Sequence, residues 1–191
     1  EEPFDVTVTR QAIVTPSVDA RMLDGNIAYV QLFTFGDETD RKLRSELRKL
    51  LVQKPDGLIL DLRNNGGGYL ETAINVASEF IGQGVVMYEE YGDGSLTVFE
   101  ARRGGVATKI PMVVLINEGS ASASEIVAGA IQDRGRGQLV GVTSFGKGSV
   151  QNYTPLKNDQ GAVRITIARW LTPDKRQIHE VGLEPDVVVE L

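Results

Sequence analysis

The sequence predicts an α/β domain built around a largely parallel β-sheet. Apolar runs with the composition of β-strands alternate with helical patterns across residues 26–142, which is typical of strand–helix–strand units joined in parallel. The chain has 191 residues, of which 41% are hydrophobic and 24% charged, so it is long enough for one domain with a sizeable core. No repeat or low-complexity tract interrupts the alternation.

The first predicted elements are two strands and an amphipathic helix. Residues 4–10 and 26–33 are rich in β-branched and aromatic side chains, and the second run opens the main domain. Residues 37–54 carry acidic side chains early and basic ones late, which suits a helix dipole. We expect their apolar face to pack on the core, and that face contains Leu43, Leu47, Leu50 and Leu51.

A strand, a second helix and a hairpin follow. Residues 56–63 have an apolar centre, which favours a strand covered on both faces. The glycines after this strand lead into a helical pattern. Residues 85–104 predict a hairpin closed at Gly92, Asp93 and Gly94.

The remaining sequence predicts one more helix among several strands. The helix covers residues 120–135 and stands between two apolar strands at 110–117 and 138–142. The residues after Lys147 alternate and then meet Pro155, which indicates a strand and a turn. The tail returns to strands in 162–173 and 185–191.

Composition excludes several classes of function. A formal net charge of −6 argues against nucleic acid or an anionic membrane as the main partner. The absence of cysteine excludes disulfides, thiol catalysis and cysteine-bound metals. His179 is the single histidine, and its polar, turn-rich surroundings favour a surface or capping role, so we expect neither a metal centre nor imidazole catalysis.

A serine-rich segment, residues 117–133, joins a predicted buried strand to the helix that follows. Ser122 and Glu125 form the S-x-x-E pattern of a capping box, which needs no further function. The same position suits a nucleophile, because backbone N–H groups and the positive end of the helix dipole can stabilise an oxyanion. Ser120 and Ser124 compete for that role.

Lys147 lies between two glycines in "GVTSFGKGSVQ". A nucleotide phosphate loop is a poor match, because Gly148 stands where the loop needs a hydroxyl. A turn with a solvated lysine is the plain alternative. A lysine base must be desolvated from a pKa of about 10.4 to about 7–8. The sequence permits this at Lys147, because Phe145 and Val150 are near and no acid occurs from 140 to 151.

Three consecutive glycines occur in "DLRNNGGGYL", residues 61–70. Such a run is unfavourable in backbone entropy, so a steric requirement must exclude side chains there. One explanation is a tight turn with close helix–sheet packing. The other is a backbone N–H that points at a substrate and forms part of an oxyanion hole.

Four motifs in order resemble the carboxy-terminal processing proteases, or tail-specific proteases, which are serine–lysine peptidases; they are "DLRNNGGGYL", "NEGSASASEIVAGAIQD", "GVTSFGKGSVQ" and "WLTPDKRQIHEVGLEPDVVVE". The resemblance implies an α/β core of the crotonase-like type, with a mixed, largely parallel sheet and peripheral strands. It implies that Ser122 is the nucleophile and Lys147 the general base, 25 residues later. It also implies that Gln151 orients the lysine amine.

The same resemblance places the oxyanion donors in two loops. They would be the N–H of Ala123 and those of Gly67 and Gly68 in the glycine turn. Asp133 is expected to end the helix and hold structure rather than take part in the reaction.

The resemblance further implies a PDZ domain, of which only one strand would remain. We expect residues 1–23 to hold that strand with linker or cap strands, and residues 24–191 to form the protease core. The expected partners are proteins or peptides with accessible C-termini, with no cofactor and no nucleic acid. The full-length protein is expected to be periplasmic or extracytoplasmic, attached to a membrane through parts outside this sequence, and able to form a homo-oligomer.

Two other functions compete with peptidase activity. A non-catalytic binding domain could use the same scaffold, but intact Ser122 and Lys147 argue against it. A crotonase-type acyl-thioester enzyme would share the glycine oxyanion hole, yet the serine and lysine motifs are not expected there.

Overall fold

The computed structural model describes residue 4, residues 6 and 7, and residues 16–190. The strand predicted at residues 4–10 lies mostly outside these described residues. The remaining elements follow the predicted order, which confirms the α/β class. Their bounds are β1 Val18–Leu23, β2 Ile27–Leu32, α1 Thr39–Leu51, β3 Gly57–Asp61, α2 Leu70–Phe80, β4 Val85–Tyr91, β5 Leu96–Glu100, β6 Met112–Ile116, α3 Ala123–Asp133, β7 Gln138–Gly141, β8 Ser149–Pro155, β9 Ala162–Leu171 and β10 Val187–Val188.

The main sheet has the strand order β1-β2-β3-β6-β7-β10. Only β1 runs antiparallel to its neighbour, and the other strands pair in parallel. The prediction of a mixed, largely parallel sheet is therefore confirmed. β1 precedes the boundary predicted at residue 24 and pairs with β2 along its whole length.

One row of apolar side chains crosses this sheet on the core side. The register aligns Val30 of β2 with Leu60 of β3, Val114 of β6 and Leu139 of β7. All four side chains are completely buried. Since each such burial contributes about 1.5–3 kcal/mol, this row fixes the order and register of the central strands.

The helix α1 packs its predicted leucine face on the core. Leu43, Leu47 and Leu50 are buried, and Leu51 is partly buried. The helix ends earlier than predicted, because Lys54 has a left-handed backbone with φ 54° and the following proline disfavours helical geometry at that residue.

The second sheet is antiparallel and has the order β5-β4-β9-β8. The predicted hairpin is its β4–β5 pair, with Gly94 N–H donating to Tyr91 O in the turn. The far ends of β8 and β9 are exposed. Among the described residues, no helix is long and apolar enough to cross a membrane.

The two sheets and α3 position the predicted site. β3 and β6 are adjacent and parallel, so the loops that follow them leave the same edge of the main sheet. These loops contain the glycine turn and the serine-rich segment. Lys147 lies two residues before β8, so the start of the second sheet places the lysine beside these loops of the first.

Candidate active site

Ser122 lies at the junction between the loop after β6 and the start of α3. Its backbone has φ 57° and ψ −114°, an unfavourable conformation for a residue with a side chain. Ser122 is partly buried and lines a cavity of about 230 Å³. The strained backbone therefore presents this serine to an open cavity at a helix N-terminus, where the dipole favours negative charge.

The two competing serines are structural. Ser120 and Ser124 are completely buried. The Ser120 hydroxyl donates to Leu62 O at 2.8 Å, and the Ser124 hydroxyl donates to Asn65 O at 2.7 Å. Both hydroxyls join the serine-rich segment (here the serine loop) to the glycine turn (the glycine loop). Of the three serines, Ser122 is the one that lines the cavity.

Glu125 forms the predicted capping box with Ser122 and also binds a distant loop. Its carboxylate is completely buried, and its Oε2 accepts from Ser122 N–H at 2.8 Å and from Lys147 N–H at 2.9 Å. Its Oε1 accepts from the Ser144 hydroxyl and from Gly146 N–H, both at 2.6 Å. The sequence indicated only the local cap, because nothing in it links residue 125 to residues 144–147.

The Lys147 loop is held on its other side by β9 and by the turn that contains His179. Trp170 donates its indole N–H to Lys147 O at 2.9 Å. A Cβ on Gly146, which has φ 86°, would lie 2.9 Å from Gly182 N, and a Cβ on Gly148 would lie 2.8 Å from His179 N. The glycines beside the lysine are therefore required by close packing.

The Lys147 side chain is partly buried and lines the cavity with Ser122. Among the described residues it forms no ion pair. No acidic residue occurs in the sequence from 140 to 151, but the fold brings Glu125 to the lysine backbone. That carboxylate is occupied by the four donors described above, so it binds the loop rather than the ammonium group.

The glycine turn lies against Ser122. A Cβ on Gly67 would be 2.9 Å from both Ser122 Cβ and Ala123 N. Gly67 N–H donates to Asn65 Oδ1 at 2.9 Å, whereas Gly68 N–H has no acceptor within the described part of the chain. Gly68 also lines the cavity. Ala123 is the first residue of α3, where N–H groups have no partner within the helix.

Gly68 cannot carry a side chain in this position. It has φ 153°, and a Cβ there would overlap Phe35 O. Phe35 N–H donates to Gly67 O at 3.0 Å, and Phe35 O accepts from Tyr69 N–H at 2.8 Å. This short parallel bridge fixes the peptide that faces the cavity, which is the steric requirement expected of the glycine run.

Two asparagines fasten the glycine loop to the serine loop. Asn64 N–H donates to Asn117 Oδ1 at 2.8 Å, and Asn117 Nδ2 donates back to Asn64 Oδ1 at 3.0 Å. Asn65 O accepts from Ala121 N–H at 3.0 Å. The sequence showed both asparagines, but not that they pair, because they lie 53 residues apart.

An ion pair between the buried Asp61 and the partly exposed Arg63 anchors the glycine turn at the end of β3. Arg63 Nε donates to Asp61 Oδ1 at 3.0 Å, and Tyr29 OH donates to Asp61 Oδ2 at 2.7 Å. Burial alone would raise the pKa of Asp61, but hydrogen bonds from Arg63 and Tyr29 outweigh it and hold this pKa below its usual value. Burial, and then the hydrogen bond to Asp61, raise the pKa of Tyr29.

The other predicted residues occupy different places. Gln151 lines the cavity from β8, and its Nε2 lies 3.5 Å from Thr166 Oγ1. His179 is exposed in a turn. Asp133 ends α3, pairs with Arg176 and accepts from Asp174 N–H at 2.9 Å. The structure therefore gathers Ser122, Lys147, Gln151 and Gly68 around one cavity, with Gly67 and Ala123 beside Ser122.

The rest of the cavity wall combines two polar residues, Ser149 and Arg164, with the apolar side chains of Leu70, Met87, Ile126, Val150 and Trp170. A larger cavity of about 320 Å³ lies at the ends of β6 and β7, away from Ser122 and Lys147. In the described part of the chain, no group of three or more acidic or histidine side chains could hold a metal ion.

Comparison with known proteins identifies the family. Residues 26–189 match the model described as Peptidase family S41. The chain belongs to peptidase family S41. Within this family it is 40% identical to a carboxy-terminal-processing protease of Bartonella bacilliformis over 100% of its own length. It is also 40% identical to the carboxy-terminal processing protease CtpA of Bacillus subtilis over 98% of its length.

A solved protease structure has the same fold. The photosystem II D1 C-terminal processing protease matches 95% of the chain with a TM-score of 0.86 and 33% identity. The resemblance inferred from the four motifs is thereby confirmed. The S41 chain spans 44% of the Bartonella protein, 40% of the Bacillus protein and 50% of the solved structure.

Proposed function

We propose that this chain is the catalytic core of a serine endopeptidase that cleaves proteins near their C-termini, with Ser122 and Lys147 as its catalytic dyad. The main support is that both side chains line one cavity while a single buried carboxylate, that of Glu125, binds the backbone of both residues. The names of the curated relatives support the substrate class.

In the proposed reaction the neutral Lys147 amine takes the Ser122 hydroxyl proton as Oγ attacks the scissile carbonyl carbon. The tetrahedral oxyanion accepts hydrogen bonds from Gly68 N–H and Ala123 N–H at the start of α3. When the peptide bond breaks, Lys147 returns the proton to the leaving amine. Water then attacks the acyl-enzyme with Lys147 again as base, which frees Ser122.

Gln151 and the glycine turn complete this scheme. Gln151 lines the same cavity as Lys147 and would orient its amine. Gly67 lies beside Ser122, but its N–H already donates to Asn65, so Gly68 is the better donor of the two. Preorganised donors of this kind contribute about 10²–10³-fold each to the rate in serine peptidases.

The fold type, the domain division and the setting of the full-length protein are further parts of the proposal. We assign the α/β core to the crotonase-like type, residues 1–23 to the last PDZ strand with linker and cap strands, and residues 24–191 to the protease core. We propose that a PDZ domain recruits accessible C-termini and that the full-length protein acts outside the cytoplasm, associated with a membrane and able to oligomerise. The four motifs and the partial coverage of the relatives support this division of roles.

A fluorophosphonate reagent that labels active serines tests the dyad directly. Mass spectrometry of the labelled chain should place the adduct on Ser122. The variants Ser122→Ala and Lys147→Ala should not be labelled, although their free energies of unfolding should match that of the parent. Lys147→Arg should also be inactive, because guanidinium stays charged and cannot act as a base. His179→Ala, in an exposed turn, should label normally.

Two results would overturn the proposal. Normal labelling of Lys147→Arg would mean that the position supplies only positive charge. A chain that is folded and yet unlabelled under every condition would favour a non-catalytic binding domain on the same scaffold.

A further inference from the structure

Arg164 extends from β9 into the catalytic cavity. Side chains alternate between the two faces of a strand, and paired residues of antiparallel strands share a face. The register pairs Gln151 with Thr166 and Tyr153 with Arg164. Arg164 therefore lies on the same face as Gln151 and Thr166, and it lines the cavity together with Ser122, Lys147 and Gln151.

The charge around this cavity is unbalanced. Its lining contains the permanently charged guanidinium of Arg164 and no carboxylate. Within residues 16–190, Arg164 forms no ion pair, whereas Arg44, Arg63 and Arg176 each bind an acidic side chain. The planar guanidinium fork matches a carboxylate through two parallel hydrogen bonds. The cavity thus presents an anion-binding group that the described residues leave without an anion.

We propose that Arg164 binds the terminal α-carboxylate of a short substrate tail while the peptide bond before that tail lies at Ser122. This inference rests on the proposed peptidase function and adds a specificity residue to it. An α-carboxylate is the one anion that every C-terminal tail carries, whereas an acidic side chain depends on the tail sequence. The core would then recognise a chain end by itself.

The strand geometry limits the length of such a tail. Trp170 marks the lysine end of the cavity, because its indole donates to Lys147 O. Arg164 precedes it by six residues along β9, which is at most about 20 Å at about 3.4 Å per residue. An extended peptide has about the same rise, so the tail bound by Arg164 has no more than about six residues.

Matched peptides test the proposal in the 191-residue chain. Internally quenched peptides would carry an identical apolar cleavage sequence and a three-residue tail, ending in either a free carboxylate or a carboxamide. For the parent we expect kcat/KM to be about tenfold higher for the free acid, equivalent to about 1.4 kcal/mol. The preference should shrink at high salt, because the pair is exposed to solvent. It should also vanish for a ten-residue tail, whose end passes Arg164.

Variants of two arginines on one strand separate recognition from a structural effect. Arg164→Gln should bring the acid-to-amide ratio to about one, and Arg164→Lys should restore part of it. Arg169→Gln is the matched control, because Arg169 lies on the same strand but does not line the catalytic cavity, and it should keep the parent ratio. A parent ratio near one, or an unchanged ratio in Arg164→Gln, would overturn the proposal.

Two further experiments identify the source of the carboxylate and separate binding by Arg164 from catalysis by the dyad. Peptides with Glu or Gln inside an otherwise identical amidated tail should be cleaved equally, and a clear preference for Glu would instead assign Arg164 to acidic side chains. Binding of the tail peptides to Ser122→Ala, measured by fluorescence anisotropy, should favour the free acid by the same factor. This binding can be measured without catalysis, so failure of the dyad and failure of the Arg164 assignment give different results.

Discussion

The Oε2 oxygen of Glu125 accepts a hydrogen bond from Lys147 N–H at 2.9 Å. The same oxygen accepts from Ser122 N–H at 2.8 Å. One buried carboxylate oxygen thus joins the backbones of the proposed nucleophile and the proposed base, which lie in two different loops. The relative position of the two proposed catalytic residues depends on this oxygen.

Replacement of Glu125 by Gln is expected to damage both stability and activity. A glutamine amide would direct N–H groups at two of the four donors and leave them unpaired. We expect the free energy of unfolding to fall by about 2–3 kcal/mol, and Ser122 labelling of the folded protein to slow by at least about tenfold. Glu118→Gln, an exposed change in the same loop region, should alter neither quantity. Labelling of Glu125→Gln at the parent rate would show that the carboxylate does not position the dyad.

Alanine at Gly68 is expected to disrupt the cavity wall. The new Cβ would overlap Phe35 O, and φ 153° is unfavourable for alanine. Denaturant unfolding should show a loss of about 3 kcal/mol, and labelling of the folded fraction should fall by about 10²-fold if the peptide donates to the oxyanion. Gly66→Ala is the control, because its Cβ would meet nothing within 4 Å. A stable and fully reactive Gly68→Ala would rule out both roles.

The buried serines should separate stability from chemistry. Ser120→Ala and Ser124→Ala each remove a hydroxyl that donates to a backbone carbonyl of the glycine loop. Each should lower the free energy of unfolding by about 1–2 kcal/mol and keep labelling of Ser122 within about threefold of the parent. Ser122→Ala should keep the free energy of unfolding of the parent and abolish labelling. If either buried variant were folded but unlabelled, the assignment of Ser122 as the nucleophile would need revision.

Asp61 should make stability depend on pH in the acid range. Its pKa is lower in the folded chain than in the unfolded chain, so its contribution is fully present above about pH 4 and is lost as pH falls through the folded pKa. The free energy of unfolding should therefore fall more for the parent than for Asp61→Asn between about pH 5 and pH 3. The variant should also be about 3 kcal/mol less stable at pH 7, because Arg63 loses its buried partner.

Asp24→Asn provides the comparison for this pH series. Asp24 is exposed in the turn between β1 and β2, so its variant should reproduce the slope of the parent. Equal acid slopes for the parent and Asp61→Asn would show that the Asp61 cluster does not titrate as described.

The sequence alone determined the alternation of strands and helices, the leucine face of α1 and the four motifs that identify the family. It also indicated the capping box at Ser122 and a steric reason for the glycine run. These features depend on local periodicity and on residue types with distinctive side chains, such as glycine, serine and lysine. The sequence predicts these features because each one depends on residues within a single helix, strand or loop.

Only the tertiary structure decided how the loops meet. Glu125 binds Gly146 and Lys147 through their backbone N–H groups. Because every residue except proline carries such a group, the side chains in the sequence cannot predict this contact. The choice between Gly67 and Gly68 depends on which N–H the Asn65 side chain occupies. The position of Arg164 depends on the register of β8 against β9. These contacts join residues that folding brings together from distant parts of the chain, and their energies arise only in the packed molecule.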